Sequence, residues 1–204
     1  MSIESIEEIY HAFRRVPKRI KILGCTHCCT TEEELKALEK GVREAPRHAV
    51  KTLAHNGIST VGNGLDYKYF LPRILHEFYL DFDFFNLCID ALTTRIQMAG
   101  FEDWRDVEKQ ATLTGLEMVF SQHCQKLSMF GLMDWLYGVA VVDFDITKFL
   151  DVLDYPENEL QKLELVLDYL VHFRSKANGK VKLSHGYLTS AQYDPIYRWV
   201  AESV

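Results

Sequence analysis

Apolar residues along this chain recur every three or four positions and almost never every second one, which is the spacing of helices that bury one face. Ile3, Ile6, Tyr10 and Phe13 share a face of a helix over 3–15; Ser5 and Glu8 have capping-box spacing, and Pro17 ends the run. Leu35, Leu38 and Val42 predict a second helix over 31–44, opened by Thr31 and Glu34 at the same capping-box spacing. Pro46 in the first turn and Gly57 just past the end bound a third over 46–56. Gly62-Asn63-Gly64 reads as a turn, with Asp66 as N-cap of the next helical segment. The stretch from Tyr67 to Tyr79 is densely apolar but contains Pro72, which lacks an N–H and clashes with the preceding turn. The expectation is a short helical turn, then a helix starting near Pro72 that buries Ile74, Leu75, Phe78 and Tyr79.

Further helices are predicted over 83–99, 103–127, 129–141 and 145–153. After Pro156 comes a long heptad-like run of Leu160, Leu163, Val166, Leu167, Leu170 and Phe173. Asn178-Gly179 marks a turn, and a last helix over 193–203 carries Ile196, Trp199 and Val200. Only Lys180-Val181-Lys182-Leu183 hints at a strand. The reading is all-α, a single helical domain over 1–204, built as an irregular multi-helix bundle or a degenerate HEAT-like stack of helix pairs.

Composition narrows the function. Hydrophobic residues make up 48% and charged ones 25%, as in an ordinary globular protein. The net charge of −6 argues against general nucleic-acid binding and is compatible with a basic protein partner. The basic cluster Arg14, Arg15, Lys18, Arg19 and Lys21 lies just beyond a helix C-terminus, where the helix dipole favours cations. Glu4, Glu7 and Glu8 come at once, so no signal peptide is expected, and no apolar run approaches a membrane span. Five cysteines, an odd number without a secretory signal, point to a reducing cytoplasm.

Three of those cysteines, Cys25, Cys28 and Cys29, fall within five residues beside His27, immediately before the helix that Thr31 opens. A thiol there feels the partial positive charge of a helix N-terminus, which favours the thiolate. A structural zinc site wants four ligands, and neither a second Cys-x-x-Cys nor a His-x₃₋₅-His is present; His48, His55, His123 and Cys124 are the distant candidates. A thioredoxin-type redox motif would come after a strand, and none is predicted before Cys25. The cysteines are therefore read as small side chains packing where the helix starts, with no metal or cofactor assigned. A zinc- or thiol-dependent protein is the alternative.

Catalytic groupings are thin. Ser184-His185 has no nucleophile elbow around it, and there is no His-Glu-x-x-His. Asp81/Asp83 and Asp143/Asp145 each precede a predicted helix, where carboxylates cap. Arg73 is expected to pair with a carboxylate or cap a helix C-terminus. No enzyme class is supported. The stretch 143–164 carries Asp143, Asp145, Asp151, Asp154, Glu157, Glu159 and Glu164 against Lys148 and Lys162, an acidic surface if these residues share a face.

Cys25-Thr-His-Cys-Cys, with Asp66-Tyr-Lys-Tyr-Phe-Leu-Pro-Arg-Ile-Leu further along, resembles an uncharacterised bacterial helical family. That family carries an N-terminal Cys-x-x-Cys and a Phe-Leu-Pro-Arg-Ile/Leu segment. Trp104, Trp135, Tyr197 and Trp199 extend the resemblance loosely over most of the chain. Some members resemble immunity proteins of polymorphic toxin systems. The resemblance implies a non-enzymatic cytoplasmic protein that occludes a cognate toxin domain. Asp143, Asp145, Asp151, Asp154 and Glu157 are the expected contact residues.

Overall fold

The computed structural model describes residues 3–141, 144–174 and 190–203. Among these the chain is all-α: eleven α-helices, three short 3₁₀ segments, and no strand beyond two isolated bridges that join Val61 to Gly24 and Gly57. Asn178-Gly179, the 180–183 strand hint and Ser184-His185 lie outside the described residues. The backbone groups into two compact units, Met1–Val119 and Phe120–Val204.

Unit 1 holds α1 (Ile3–Ala12), α2 (Glu32–Leu38), α3 (Arg47–Asn56), α4 (Gly64–Leu80), α5 (Phe82–Phe85), α6 (Ile89–Met98) and most of α7 (Asp106–His123). The helix α4 is the hub, packing on α1, α3, α5 and α6. Tyr67, Phe70, Leu71, Ile74 and Phe78 on it are completely buried.

Several local expectations are corrected. α1 starts at Ile3, so Ser5 and Glu8 lie inside it and form no capping box at its start. α2 stops at Leu38 instead of 44, and Gly41 beyond it takes φ +119°, a left-handed conformation that suits glycine. Asn63 caps α4, and Asp66 is the third residue of a capping box rather than the cap: its carboxylate accepts the Asn63 N–H at 3.0 Å. Pro72 does not start a helix; it sits inside one. Its missing N–H leaves one carbonyl of the preceding turn without its usual partner, and the buried face on both sides of the proline outweighs that loss. The predicted 83–99 helix is broken into α5 and α6 by Asn86 at φ +41°. The 103–127 helix shortens to α7, flanked by 3₁₀ turns Phe101–Asp103 and Cys124–Lys126.

Among the described residues of unit 1 three carboxylates are buried, and each meets a cation. Glu77 on α4 takes Arg47 from α3 and Arg73 from its own helix, the latter at 2.7 Å. Glu108 on α7 takes Lys68 of α4 at 2.9 Å and Arg105 at 2.7 Å. Asp66 takes Arg19 at 3.0 Å. The carboxylate pairing expected for Arg73 is present.

Unit 2 contains the end of α7 with α8 (Met129–Val141), α9 (Thr147–Leu153), α10 (Glu159–Arg174) and α11 (Ser190–Glu202). Its core is built on Phe120, Trp135 and Phe149, with ring centroids 5.4 to 6.3 Å apart, and on Leu136, Leu150, Leu153, Leu165 and Ile196. Asp154, just past α9, accepts from Lys162 of α10 at 2.6 Å and from the Trp199 indole of α11 at 3.1 Å. No described helix is long and apolar enough to cross a membrane.

Breaking a buried pair leaves a charge stranded, at a cost of about 3–5 kcal/mol, reduced where partners reach solvent. Glu77→Ala is therefore expected to destabilise unit 1 by about 2–4 kcal/mol in urea unfolding, whereas Glu7→Ala, whose pair with Arg43 is exposed, leaves the urea midpoint nearly unchanged.

Candidate functional site

The cysteine turn is built by its neighbours. Residues 26–29 form a hydrogen-bonded turn in which the Cys29 N–H reaches the Cys25 carbonyl at 3.2 Å. Both ends are pinned by the chain leaving α3: the Cys25 N–H donates to the Thr60 carbonyl at 2.8 Å, and the Asn56 amide donates to the Cys29 carbonyl at 3.1 Å. Ile58 in that loop takes φ +70°, a costly conformation for a β-branched residue, held by the Ile58 N–H to Val61 carbonyl bond at 3.0 Å. Gly57 admits no side chain, since a Cβ there would lie 2.5 Å from the ring of Tyr67.

Glu34 fastens the other side. Its carboxylate completes the capping box predicted with Thr31, accepting the Thr31 N–H at 2.9 Å while the Thr31 hydroxyl accepts from the Glu34 N–H at 3.1 Å. It also accepts from Thr30 at 3.1 Å and, across to α3, from Thr52 at 2.7 Å. Burial works to raise its pKa, but the bonds from Thr52, the Thr31 amide and Thr30 outweigh burial and leave it below the ordinary carboxylate value.

The three thiols lie in the turn before α2 with their sulfurs converging, Cys28 exposed and Cys25 and Cys29 half-buried. Cys28 Sγ is 3.5 Å from Cys25 Sγ and 2.9 Å from Cys29 Sγ, and all three fall within 4.8 Å of one another. Their environments differ. Cys25 is shifted below the ordinary thiol value, through hydrogen bonding by the His27 backbone, the Cys28 thiol and the Cys28 backbone. Cys28, serving Cys29 and Cys25 as hydrogen-bond donor, is pushed up to about 12. Among the described residues no other His, Cys, Asp or Glu joins this group. The His55 ring bonds to the Phe85 carbonyl at 2.8 Å, and Cys124 is buried in unit 2.

A cleft of about 730 Å³ in unit 1 is lined by Glu7, Tyr10, His11, Arg14, Lys40, Arg43 and Tyr69 among others. Two of its charges, Glu7 and Arg43, are used against each other. Arg43 clamps Glu7 through two bonds of 2.9 and 2.6 Å and covers the Tyr10 ring at 3.9 Å. Tyr10 shares a 3.2 Å hydrogen bond with His76, whose pKa is lowered by burial and by the charge of Arg73. Among the described residues that line the cleft there is no serine, threonine or cysteine.

The acidic residues singled out from sequence have separate duties. Asp143 lies outside the described residues. Asp145 bonds the Thr147 N–H at 3.1 Å and its hydroxyl at 2.5 Å where α9 begins, a capping use. Asp154 ties together three helices, whereas Asp151 and Glu157 stand exposed. Sequence reasoning missed the orientation of α10. The heptad-like run divides: Val166 turns into the core beside Leu165, which is not one of its positions, while Leu160, Leu163 and Leu167 are 63%, 50% and 60% exposed; the side chains of Leu170 and Phe173 lie outside the described residues. At about 100° per residue, those three leucines occupy an arc of about 60°, with Glu159 on one side and Glu164 on the other.

Two outcomes test this chemistry. In chelator-treated protein near pH 8, iodoacetamide is expected to modify Cys25 well before Cys28 and buried Cys124, as read by timed peptide mapping. For Glu34 the folded pKa lies below the unfolded one, so its stabilisation is present above about pH 4.5 and is lost as pH falls through the lowered value. Thr52→Val should flatten the acid limb of the stability curve while leaving the neutral limb parallel to that of the native protein.

Comparison with protein-family models, with curated proteins and with solved structures gives no match.

Proposed function

We propose that this protein acts by binding another protein, as an immunity protein that occludes a cognate toxin domain. The observation that carries this reading is the outer face of α10, where Leu160, Leu163 and Leu167 are open to solvent between Glu159 and Glu164. An exposed apolar centre with a charged rim has the anatomy of a binding surface, in which the apolar anchors supply affinity and the rim supplies steering. Glu157 near the start of α10 and Asp151 on α9 are also exposed and add to the acidity of unit 2. The partner that fits is a basic surface presenting an apolar ridge or groove. A toxin that acts on nucleic acid has such a surface, because it must attract phosphate. The net charge of −6 and the family resemblance support the same reading.

Asp154 contributes differently from the other candidates. Its carboxylate is committed to Lys162 and Trp199, so its replacement acts first on the packing of unit 2. Asp151 and Glu157 are the members of the predicted set that remain open to a partner.

The test uses the full chain as bait in host lysate, and then co-expression of the captured protein with and without the bait. The reading requires that the captured protein carry a toxic domain that the bait neutralises. Leu163→Asp should then accelerate dissociation at least about tenfold, and the double change Glu159→Lys/Glu164→Lys should slow association about tenfold and flatten its salt dependence. Undiminished neutralisation by a Leu160→Asp/Leu163→Asp variant that retains its far-ultraviolet spectrum would remove α10 from the interface.

A further inference from the structure

The cysteine turn poses a problem that the partner-binding reading does not use or answer. Three sulfurs within 4.8 Å of one another cannot all ionise in isolation, because each thiolate repels the next. Yet the turn is held in place by a bond from the Cys25 N–H to the Thr60 carbonyl and one from the Asn56 side-chain amide to the Cys29 carbonyl, and its three sulfurs already converge. A turn pinned at both ends presents its side chains as a preorganised ligand set.

The spacing fits a single ion. For metal–sulfur bonds of about 2.3 Å at tetrahedral angles, ligand sulfurs sit about 3.8 Å apart. The observed separations of 3.5 and 2.9 Å, with the widest no more than 4.8 Å, need adjustments of about 1 Å or less to match. Rotation about the cysteine side-chain bonds supplies that, with no movement of the pinned backbone. A disulfide is the competing use of the same atoms. Between Cys28 and Cys29 it is disfavoured, since adjacent Cα atoms are about 3.8 Å apart, short of the usual disulfide span.

We propose that Cys25, Cys28 and Cys29 form a three-thiolate surface site for one thiophilic d¹⁰ metal ion, the class of Zn(II) and Cu(I). Binding breaks three S–H bonds, forms three metal–sulfur bonds and sends three protons to solvent, with no change in oxidation state. No fourth ligand is supplied by the described residues, so a tetrahedral ion completes its shell with water and a trigonal one needs none. Because Cys28 is exposed, the open position faces solvent and the ion is exchangeable, unlike that of a closed four-cysteine structural site. The site belongs to unit 1 and does not depend on the partner surface on α10.

The experiment is anaerobic titration of the reduced full-length chain with Zn(II) and, separately, with Cu(I), each held in a competing chelator buffer. Bound metal per chain and protection of individual cysteines from alkylation are read by mass spectrometry. The expected result is one equivalent bound, with Cys25, Cys28 and Cys29 protected together while Cys88 stays reactive. Retention of Zn(II) supports the four-coordinate form; retention of Cu(I) alone supports the three-coordinate form. Each of Cys25→Ser, Cys28→Ser and Cys29→Ser should weaken binding by about 100-fold or more while leaving the urea midpoint of the metal-free protein unchanged. Absence of protection by either ion overturns the proposal. So does binding that survives Cys28→Ser/Cys29→Ser.

Discussion

The organisation of unit 1 rests on the requirement that a buried carboxylate be met by a cation. Glu77 is almost wholly enclosed, and the guanidinium groups of Arg47 and Arg73 converge on it. One of these comes from α3 and the other from α4 itself, so the pairing fixes the register of α3 against the helix on which α1, α5 and α6 also pack. Arg47 also reaches Asp81 at the end of α4, at 3.3 Å. Such pairs add little stability over apolar packing, because desolvation offsets much of the Coulomb gain. What they add is geometry: a helix that slid by one turn would leave a charge buried and alone.

That register positions the cysteine turn. α3 presents Thr52 to Glu34 and Asn56 to the Cys29 carbonyl, and the loop after α3 presents the Thr60 carbonyl to the Cys25 N–H. The thiols therefore sit on a turn whose anchors are set by the core helices, although the turn itself is at the surface. This division between a rigid support and exposed reactive atoms is what a preorganised ligand set needs. The strain at Ile58 and the space cleared by Gly57 are local costs carried by the same anchoring loop.

Unit 2 reaches its core by another route. Its interior is aromatic and aliphatic; among the described residues the buried side chains of Asn158 and Gln161 satisfy the Val152 and Gln125 carbonyls, and its ion pair, Lys162 with Asp154, lies nearer the surface. With the inward face of α10 occupied by Leu165 and Val166, the leucines at 160, 163 and 167 have no place in that core. Burying an apolar side chain is worth about 1.5–3 kcal/mol, so three leucines left in water form a surface with energy available for binding.

Local chemistry made much of this legible in advance. The period of the apolar residues set the helical class, and the Thr31–Glu34 capping box was readable because its two bonds join residues three apart. The proximity of the three cysteines was likewise written in the spacing. Pro72 misled because its local penalty was weighed without the buried face that α4 gains on both sides of it. Asp66 misled in a smaller way, since Asn63 takes the cap and leaves it the third position of the same box. Sequence could not decide whether the thiols faced the core or the solvent, nor which leucines of α10 turned outward. Those choices depend on what stands opposite: Asn56 and Thr60 around the cysteine turn, and the packing of α10 on α8 and α9. Spacing along the chain thus determined the elements and their caps, through interactions a few residues long. Which faces are covered was decided only by helices distant in sequence competing for the same apolar surface.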